Sequence, residues 1–256
     1  MNILVVNDDG ITEKGFHLLV EAVLPFGEVY IVAPEYHQSG KSQALSLRTP
    51  IEVKDYGNLY GAKSALSTSG TPADCTRMAF MLHKEVNFDL VVSGINRGPN
   101  IGSDILHSGT VGAASEALLF GVPAIAVSSP HLNYPMAEKY TSKIIGHLID
   151  KKLISSDYLL NINFPATRFE EPVGIGFTVQ GKHYHEAVYD QIGDNTYVSS
   201  YKPLKITEDG NSDVYAFHNG IISITPVIEI RSKLEITNKL NNQSELNEII
   251  DCGKIK

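Results

Sequence analysis

Apolar residues in this chain follow two spacings that alternate along its first two thirds. Short unbroken runs carry almost no charge: "ILVV" at 3–6, "EVYIVAP" at 28–34, "FDLVVSGIN" at 88–96, "VPAIAVSS" at 122–129 and "YLLNINFP" at 158–165. Runs of this length, rich in β-branched residues, read as buried strands. Between them the apolar positions recur every three or four residues. Phe16, Leu19, Val20 and Val23 do so in "GFHLLVEAVLPFG", which Gly27 closes. "SGTVGAASEALLFG" and the amphipathic "YPMAEKYTSKIIGHLIDKK" read as helices in the same way. "TPADCTRMAFMLHKE" starts with Thr71 and Pro72 in cap and first-turn positions. Residues 45–68 read as irregular or hairpin-like, with "TPIEVKDYG" as an edge strand.

Strands alternating with helices predict an α/β fold, a Rossmann-like, mostly parallel sheet with helices on both faces. From about residue 170 the pattern changes to "VGIGFTVQGKHYHEAVYDQIGDNTYVSSYK", which reads as a C-terminal β-rich arm. "GIISITPVIEI" is a further strand and "NNQSELNEII" a short helix in a polar tail. No linker or repeat divides the chain. The expectation is a single domain over 1–256, with an α/β core over about 1–169, the arm over about 170–235 and the tail over 236–256.

Composition narrows the function. The 256 residues carry 21 basic and 29 acidic side chains, a net charge of −8, with no Lys/Arg-rich run. That argues against a reader of nucleic acid polymers, so an anionic small ligand has to be attracted locally. Cys75 and Cys252 have no metal-site spacing and read as reduced thiols. No apolar run approaches the roughly 18 residues that span a membrane, and the N-terminus lacks a signal-peptide pattern. The expected location is cytoplasmic.

Ligands of open α/β sheets bind beyond the carboxyl ends of the strands. The first strand ends in Asn7, Asp8 and Asp9, the second feeds a loop with Ser39, the third ends in Asn96, and the fourth in Ser128 and Ser129. Adjacent carboxylates repel, so the pair reads either as a turn with a helix N-cap or as a cation site. Two carboxylates, an amide and a hydroxyl form an all-oxygen set that suits Mg²⁺ or Mn²⁺ rather than zinc. In "SGINRGPNIGSDILHSGTVGAASEAL" Gly94, Gly98 and Gly102 mark a loop whose backbone approaches something closely. Ser108, Gly109 and Thr110 then open a helix. Their amides and hydroxyls read either as a phosphate cradle or as an ordinary cap. Asn100 and His107 lie in the same stretch as substrate-side candidates, and His37 follows the second strand. "SGTPADC" at 69–75 reads as a cap or a pocket wall. His183 and His185 alternate along the arm and would share either a metal or a solvated face.

With "NILVVNDDG", "VAPEYHQSGKSQALS", "SGTPADC" and "SGINRGPNIGSDILHSGTVGAASEAL" in this order, the chain closely resembles the SurE family. These are stationary-phase survival proteins that act as metal-dependent nucleoside monophosphate phosphatases. The resemblance covers about residues 1–130, and "DVYAFHNGIISITPV" resembles the family's closing strand. It implies metal ligands Asp8, Asp9, Ser39 and Asn96. The expected site then has Asp8, Asp9 and Asn96 as catalytic residues and Asn100, His107, Ser108, Gly109 and Thr110 on the substrate phosphate. It also implies one divalent cation per subunit, 5′- or 3′-nucleotidase activity, in some members exopolyphosphatase activity on short chains, and a homodimer or homotetramer built through the arm. The chain departs from the family pattern at His107, where Tyr is usual, at Ala117, where Gly is common, and in an arm without Trp. Metal-assisted hydrolysis by water is the expected chemistry. The alternatives are a non-enzymatic nucleotide-binding sensor and a phosphatase working through a phosphoenzyme. "NDDGI" lacks the D-x-D spacing of haloacid-dehalogenase phosphatases, and Asn96 stands where a receiver domain needs its phospho-accepting Asp.

Overall fold

Residue parity along the strands sorts the core into two halves. In the computed structural model, which describes residues 1–130, 134–182, 184–204 and 210–228, the first strand β1 spans Asn2–Val6. Its Ile3 and Val5 join one apolar cluster and its Leu4 and Val6 another, as side chains alternating across a sheet must. The first cluster receives Phe16, Leu19 and Val20 of α1 (Lys14–Val23) and Ile144, Ile145 and Leu148 of α4 (Tyr134–Asp150). The second receives Cys75 and Ala79 of α2 (Pro72–Leu82) and Val111, Ala113 and Ala114 of α3 (Gly109–Leu119). Helices therefore cover both faces, as the buried strand runs require.

The remaining strands are β2 (Glu28–Pro34), β3 (Val53–Gly57), β4 (Ser64–Thr68), β5 (Leu90–Arg97), β6 (Ala124–Ser129), β7 (Leu159–Asn163), β8 (Gly174–Phe177), β9 (His185–Gly193), β10 (Thr196–Pro203) and β11 (Ile221–Val227). Nine form one sheet in the order β3-β4-β2-β1-β5-β6-β7-β11-β8, and β9 pairs with β10 as a separate hairpin. Strands β4, β2, β1, β5, β6 and β7 run parallel. From β1 the chain order proceeds to β2 on one side and to β5 on the other. The switch point of the sheet thus lies where β1 and β5 end, the crevice in which open α/β folds bind ligands.

Three elements differ from the sequence reading. Within 45–68, "SALST" is the parallel strand β4 and β3 is its antiparallel edge partner. Its small polar residues hide the strand, although Ala65, Ser67 and Thr68 are buried. Among its described residues, the stretch expected as an arm over about 170–235 has three parts: β8 and β11 extend the main sheet, Asp213–His218 form a short helix α5, and 185–203 pair as a separate hairpin. β11 is antiparallel to β7 and parallel to β8, which places two chain-distant segments side by side. The expected helix at "NNQSELNEII", Cys252 and His183 lie outside the described residues. Among the described residues no helix is long and apolar enough to cross a membrane.

Candidate active site

The turn after β1 is built by Asn7, whose Nδ2 donates to the Gly10 carbonyl at 2.8 Å. Neither aspartate caps a helix, because α1 begins at Lys14 after Glu13. Asp8 is 3% exposed and Asp9 7% exposed. Two buried, adjacent carboxylates without a helix to cap are costly unless something compensates their charge.

The two carboxylates have different surroundings. Asp8 packs against the N-terminus of α3, where its Oδ1 accepts a short hydrogen bond from the Thr110 hydroxyl. A Cβ on Gly109 would stand 2.8 Å from the Asp8 Cβ, so only glycine lets the helix approach this closely. The partial positive charge of a helix start favours the carboxylate there. Among the described residues no other side chain donates a hydrogen bond to Asp8. Burial pushes the Asp8 carboxyl up to about 6. The Thr110 hydrogen bond opposes that rise, the Asp9 charge adds to it, and His37 offsets it in part. Asp9 is held at both oxygens, Oδ1 by His37 Nδ1 at 3.1 Å and Oδ2 by the Arg97 backbone amide at 3.0 Å.

Asp8, Ser39, Asn96, Asn100, His107 and Ser108 share the wall of one cleft of about 1070 Å³, with the exposed Arg97 at its edge. The register of β5 against β6 shifts between Ser93 and Asn96, which brings Asn96 opposite Ser128. Asn96 Nδ2 donates to the Gly98 carbonyl at 2.7 Å, leaving its amide oxygen as the ligating end. Ser39 rides on a loop fixed at several points. The Gln38 amide donates to the Asp8 carbonyl at 2.7 Å, the Ser42 amide to the His107 carbonyl at 3.0 Å, and Gln43 Nε2 to the buried Glu116 at 2.9 Å. Gly112 of α3 permits this contact, since a Cβ there would meet the Ser42 carbonyl oxygen at 2.2 Å.

Three predicted site residues are less open than their sequence positions suggest. Asp9, Gly109 and Thr110 do not line the cleft, and Thr110 is fully buried. The Ser108 amide donates to the Asp104 carbonyl at 3.0 Å, and the Ser108 hydroxyl accepts the Val111 amide at 3.1 Å as an N-cap. Among the described residues the Gly109 and Thr110 amides have no protein acceptor. Asn100 is a clamp as well as a wall residue. Its Nδ2 donates to Ser128 at 2.9 Å, and its backbone bonds to Asn161 and Asn163 of β7. "SGTPADC" is a capping box, with Thr71 Oγ1 accepting the Asp74 amide and Asp74 accepting the Thr71 amide. Cys75 is fully buried with its thiol pushed up to about 12, so it is no nucleophile.

Two site partners escaped the sequence reading. Arg97 contributes its backbone amide, which no side-chain pattern announces. Asp104 receives Tyr184 at 2.6 Å and His185 Nε2 at 2.7 Å across some 80 residues of chain. His185 is therefore tied into the cleft wall and not spread on a solvated face.

The donors fit a hard cation. Asp8 Oδ2, the Asn96 amide oxygen and the Ser39 hydroxyl are oxygen ligands around a buried negative charge, and no His or Cys stands among them. Among the described residues no group of three or more His, Cys, Asp or Glu forms a metal cage, so a neutral amide and a hydroxyl have to complete the set.

A family model described as "Survival protein SurE" matches residues 3–187. A protein named 5′-nucleotidase SurE from Clostridium botulinum (strain ATCC 19397 / Type A) is 38% identical over 238 residues, covering 89% of this chain and 92% of that one. Another of that name from Alkaliphilus metalliredigens (strain QYMF) is 36% identical over 235 residues, with the same coverage. The crystal structure of the SurE protein from Aquifex aeolicus superposes with a TM-score of 0.82 at 30% identity, over 95% of this chain and 99% of that one.

Proposed function

The chain belongs to the SurE family, and on that premise we propose that it is a divalent-metal-dependent phosphomonoesterase that hydrolyses nucleoside monophosphates to nucleoside and phosphate. One observation carries the reading. Asp8, Ser39 and Asn96, drawn from three separate strand ends and loops, line one cleft at the switch point of the sheet. The relatives named 5′-nucleotidase support the 5′ position of the phosphate. 3′-Nucleotidase and exopolyphosphatase activities belong to the same proposal.

Asp8, Ser39 and Asn96 would hold the cation, with Asp9 beside them. A Mg²⁺ or Mn²⁺ ion held by these oxygens would supply charge neutralisation for the phosphoryl group and a more acidic water. Thr110 keeps Asp8 Oδ1 occupied and aims the other oxygen. His37 and the Arg97 amide fix Asp9, so the pair keeps its geometry through turnover. Arg97 brings positive charge to the cleft edge, and the Ser108 end of α3 presents a helix start to the phosphate oxygens. Asn100 holds this loop on β7. A covalent route through Ser108 lacks support, because its hydroxyl serves as the α3 cap and no described His or Lys accepts its proton.

The arm over about 170–235 is proposed to build a homodimer or homotetramer, and the free Cys75 supports a cytoplasmic enzyme. The test is phosphate release from a panel of 5′- and 3′-mononucleotides and tripolyphosphate, with Mg²⁺, Mn²⁺ or EDTA. Release that depends on the cation and is highest on 5′-mononucleotides supports the reading. Full activity in EDTA, or no release from any mononucleotide, overturns it.

A further inference from the structure

The cleft is far larger than a phosphate needs, and its second wall has a different chemistry from the first. The cleft that Asp8, Ser39 and Asn96 line is also lined by the β9–β10 hairpin. Its register pairs His185 with Pro203, Ala187 with Tyr201 and Tyr189 with Ser199. Directly opposed residues share a face, so His185, Ala187, Tyr189, Tyr201 and Pro203 all stand on one face of the ribbon. Every one of them lines the cleft. In the single chain Tyr189 and Tyr201 are 71% and 67% exposed, with His185 edge-on to the Tyr201 ring. Small Ala187 opposite Tyr201 leaves space beside the ring.

The root of this wall is rigid. The His185 ring packs edge-on to Tyr184 at 4.7 Å and to Tyr201 at 4.6 Å. Asp104 takes hydrogen bonds from Tyr184 and His185, and its own carbonyl accepts the His107 and Ser108 amides at 3.0 Å each. One residue thus ties the aromatic wall to the start of α3. A two-stranded ribbon is marginal alone, and Asp104 supplies its anchorage at the end nearest the phosphate site.

We propose that the cleft face of the β9–β10 hairpin is a nucleobase subsite, in which Tyr201 and Tyr189 stack the base of the substrate while its phosphate lies at the Asp8 end. This rests on the phosphomonoesterase reading for the phosphate end alone. A cleft of about 1070 Å³ holds a whole nucleotide, a size typical of small-molecule sites. Aromatic rings bind any base through its π-face, without a hydrogen-bond code.

The test compares AMP with ribose 5-phosphate, which keeps the sugar and phosphate and lacks the base. Wild type, Tyr201→Ala and the Tyr189→Ala/Tyr201→Ala pair are assayed with Mn²⁺. Adenosine binding to the metal-free proteins is measured separately by saturation-transfer NMR. The substitutions are expected to raise KM for AMP by about 10-fold, the order of one lost base–aromatic stack. KM and kcat for ribose 5-phosphate should stay within about twofold, and adenosine binding should weaken in parallel. An unchanged KM for AMP, equal losses on both substrates, or wild type that binds no adenosine overturns the subsite. Wild type that binds adenosine through these tyrosines but releases phosphate from neither substrate supports the subsite and overturns the phosphomonoesterase reading instead.

Discussion

Asp8→Asn separates the electrostatic cost of the site from its use. In the metal-free protein, burial holds the Asp8 carboxyl at about 6 against an ordinary 3.8. Because the folded value is the higher one, the native state binds the proton more tightly than the unfolded chain. The stability of the protonated carboxyl is fully present below about pH 4 and is lost as pH rises through 6. Each pH unit of difference corresponds to about 1.4 kcal/mol, so the metal-free protein at pH 7.5 carries a penalty of about 3 kcal/mol at this residue. Asn removes the charge and keeps an oxygen to accept the Thr110 hydroxyl. Asp8→Asn in EDTA should therefore raise Tm at pH 7.5 by about 5 to 10 °C, the scale for a chain of this size. The gap should close as pH falls to 4. Added Mn²⁺ should stabilise wild type through linkage and leave the variant unmoved, while phosphate release falls by about 100-fold or more. Thermal denaturation between pH 4 and 8, with EDTA or Mn²⁺, checks this. A variant no more stable than wild type at pH 7.5 in EDTA, or a gap independent of pH, refutes the reasoning.

Three further outcomes follow from the same contacts. Thr110→Val removes the only side-chain donor to Asp8 among the described residues and leaves the pocket filled, so the Mn²⁺ concentration for half-maximal activity at pH 6.5 should rise about 10-fold; Thr110→Ser should restore it. Gly112→Ala would gain up to about 1 kcal/mol in an unconstrained helix, but its Cβ meets the Ser42 carbonyl oxygen at 2.2 Å, so a lower Tm together with weaker Mn²⁺ activation would show that α3 positions the Ser39 loop. Hydrolysis of a nucleoside phosphorothioate made chiral with oxygen isotopes should proceed with inversion at phosphorus, as direct attack by water requires; net retention or a labelled Ser108 would replace it with a two-step route.

The alternation of apolar runs and helical spacing was enough to place β1, β2, β5, β6 and β7 and all four long helices. The rule that strand carboxyl ends meet the ligand then selected Asp8, Ser39 and Asn96, which do line one cleft. Local chemistry sufficed where partners are close in sequence, as in the Thr71–Asp74 capping box. β4 was not legible, because its burial comes from neighbours β2 and β3 and its own residues are mostly small and polar. The insertion of β11 between β7 and β8 was equally hidden. Spacing also could not say that Asp9 is turned toward His37 and Arg97, that the Thr110 hydroxyl serves Asp8, or that Asp104 holds His185. Periodicity records which face of an element avoids water. It carries no record of which distant donor satisfies a buried acceptor, since that pairing exists only after the sheet has set its strand order and register.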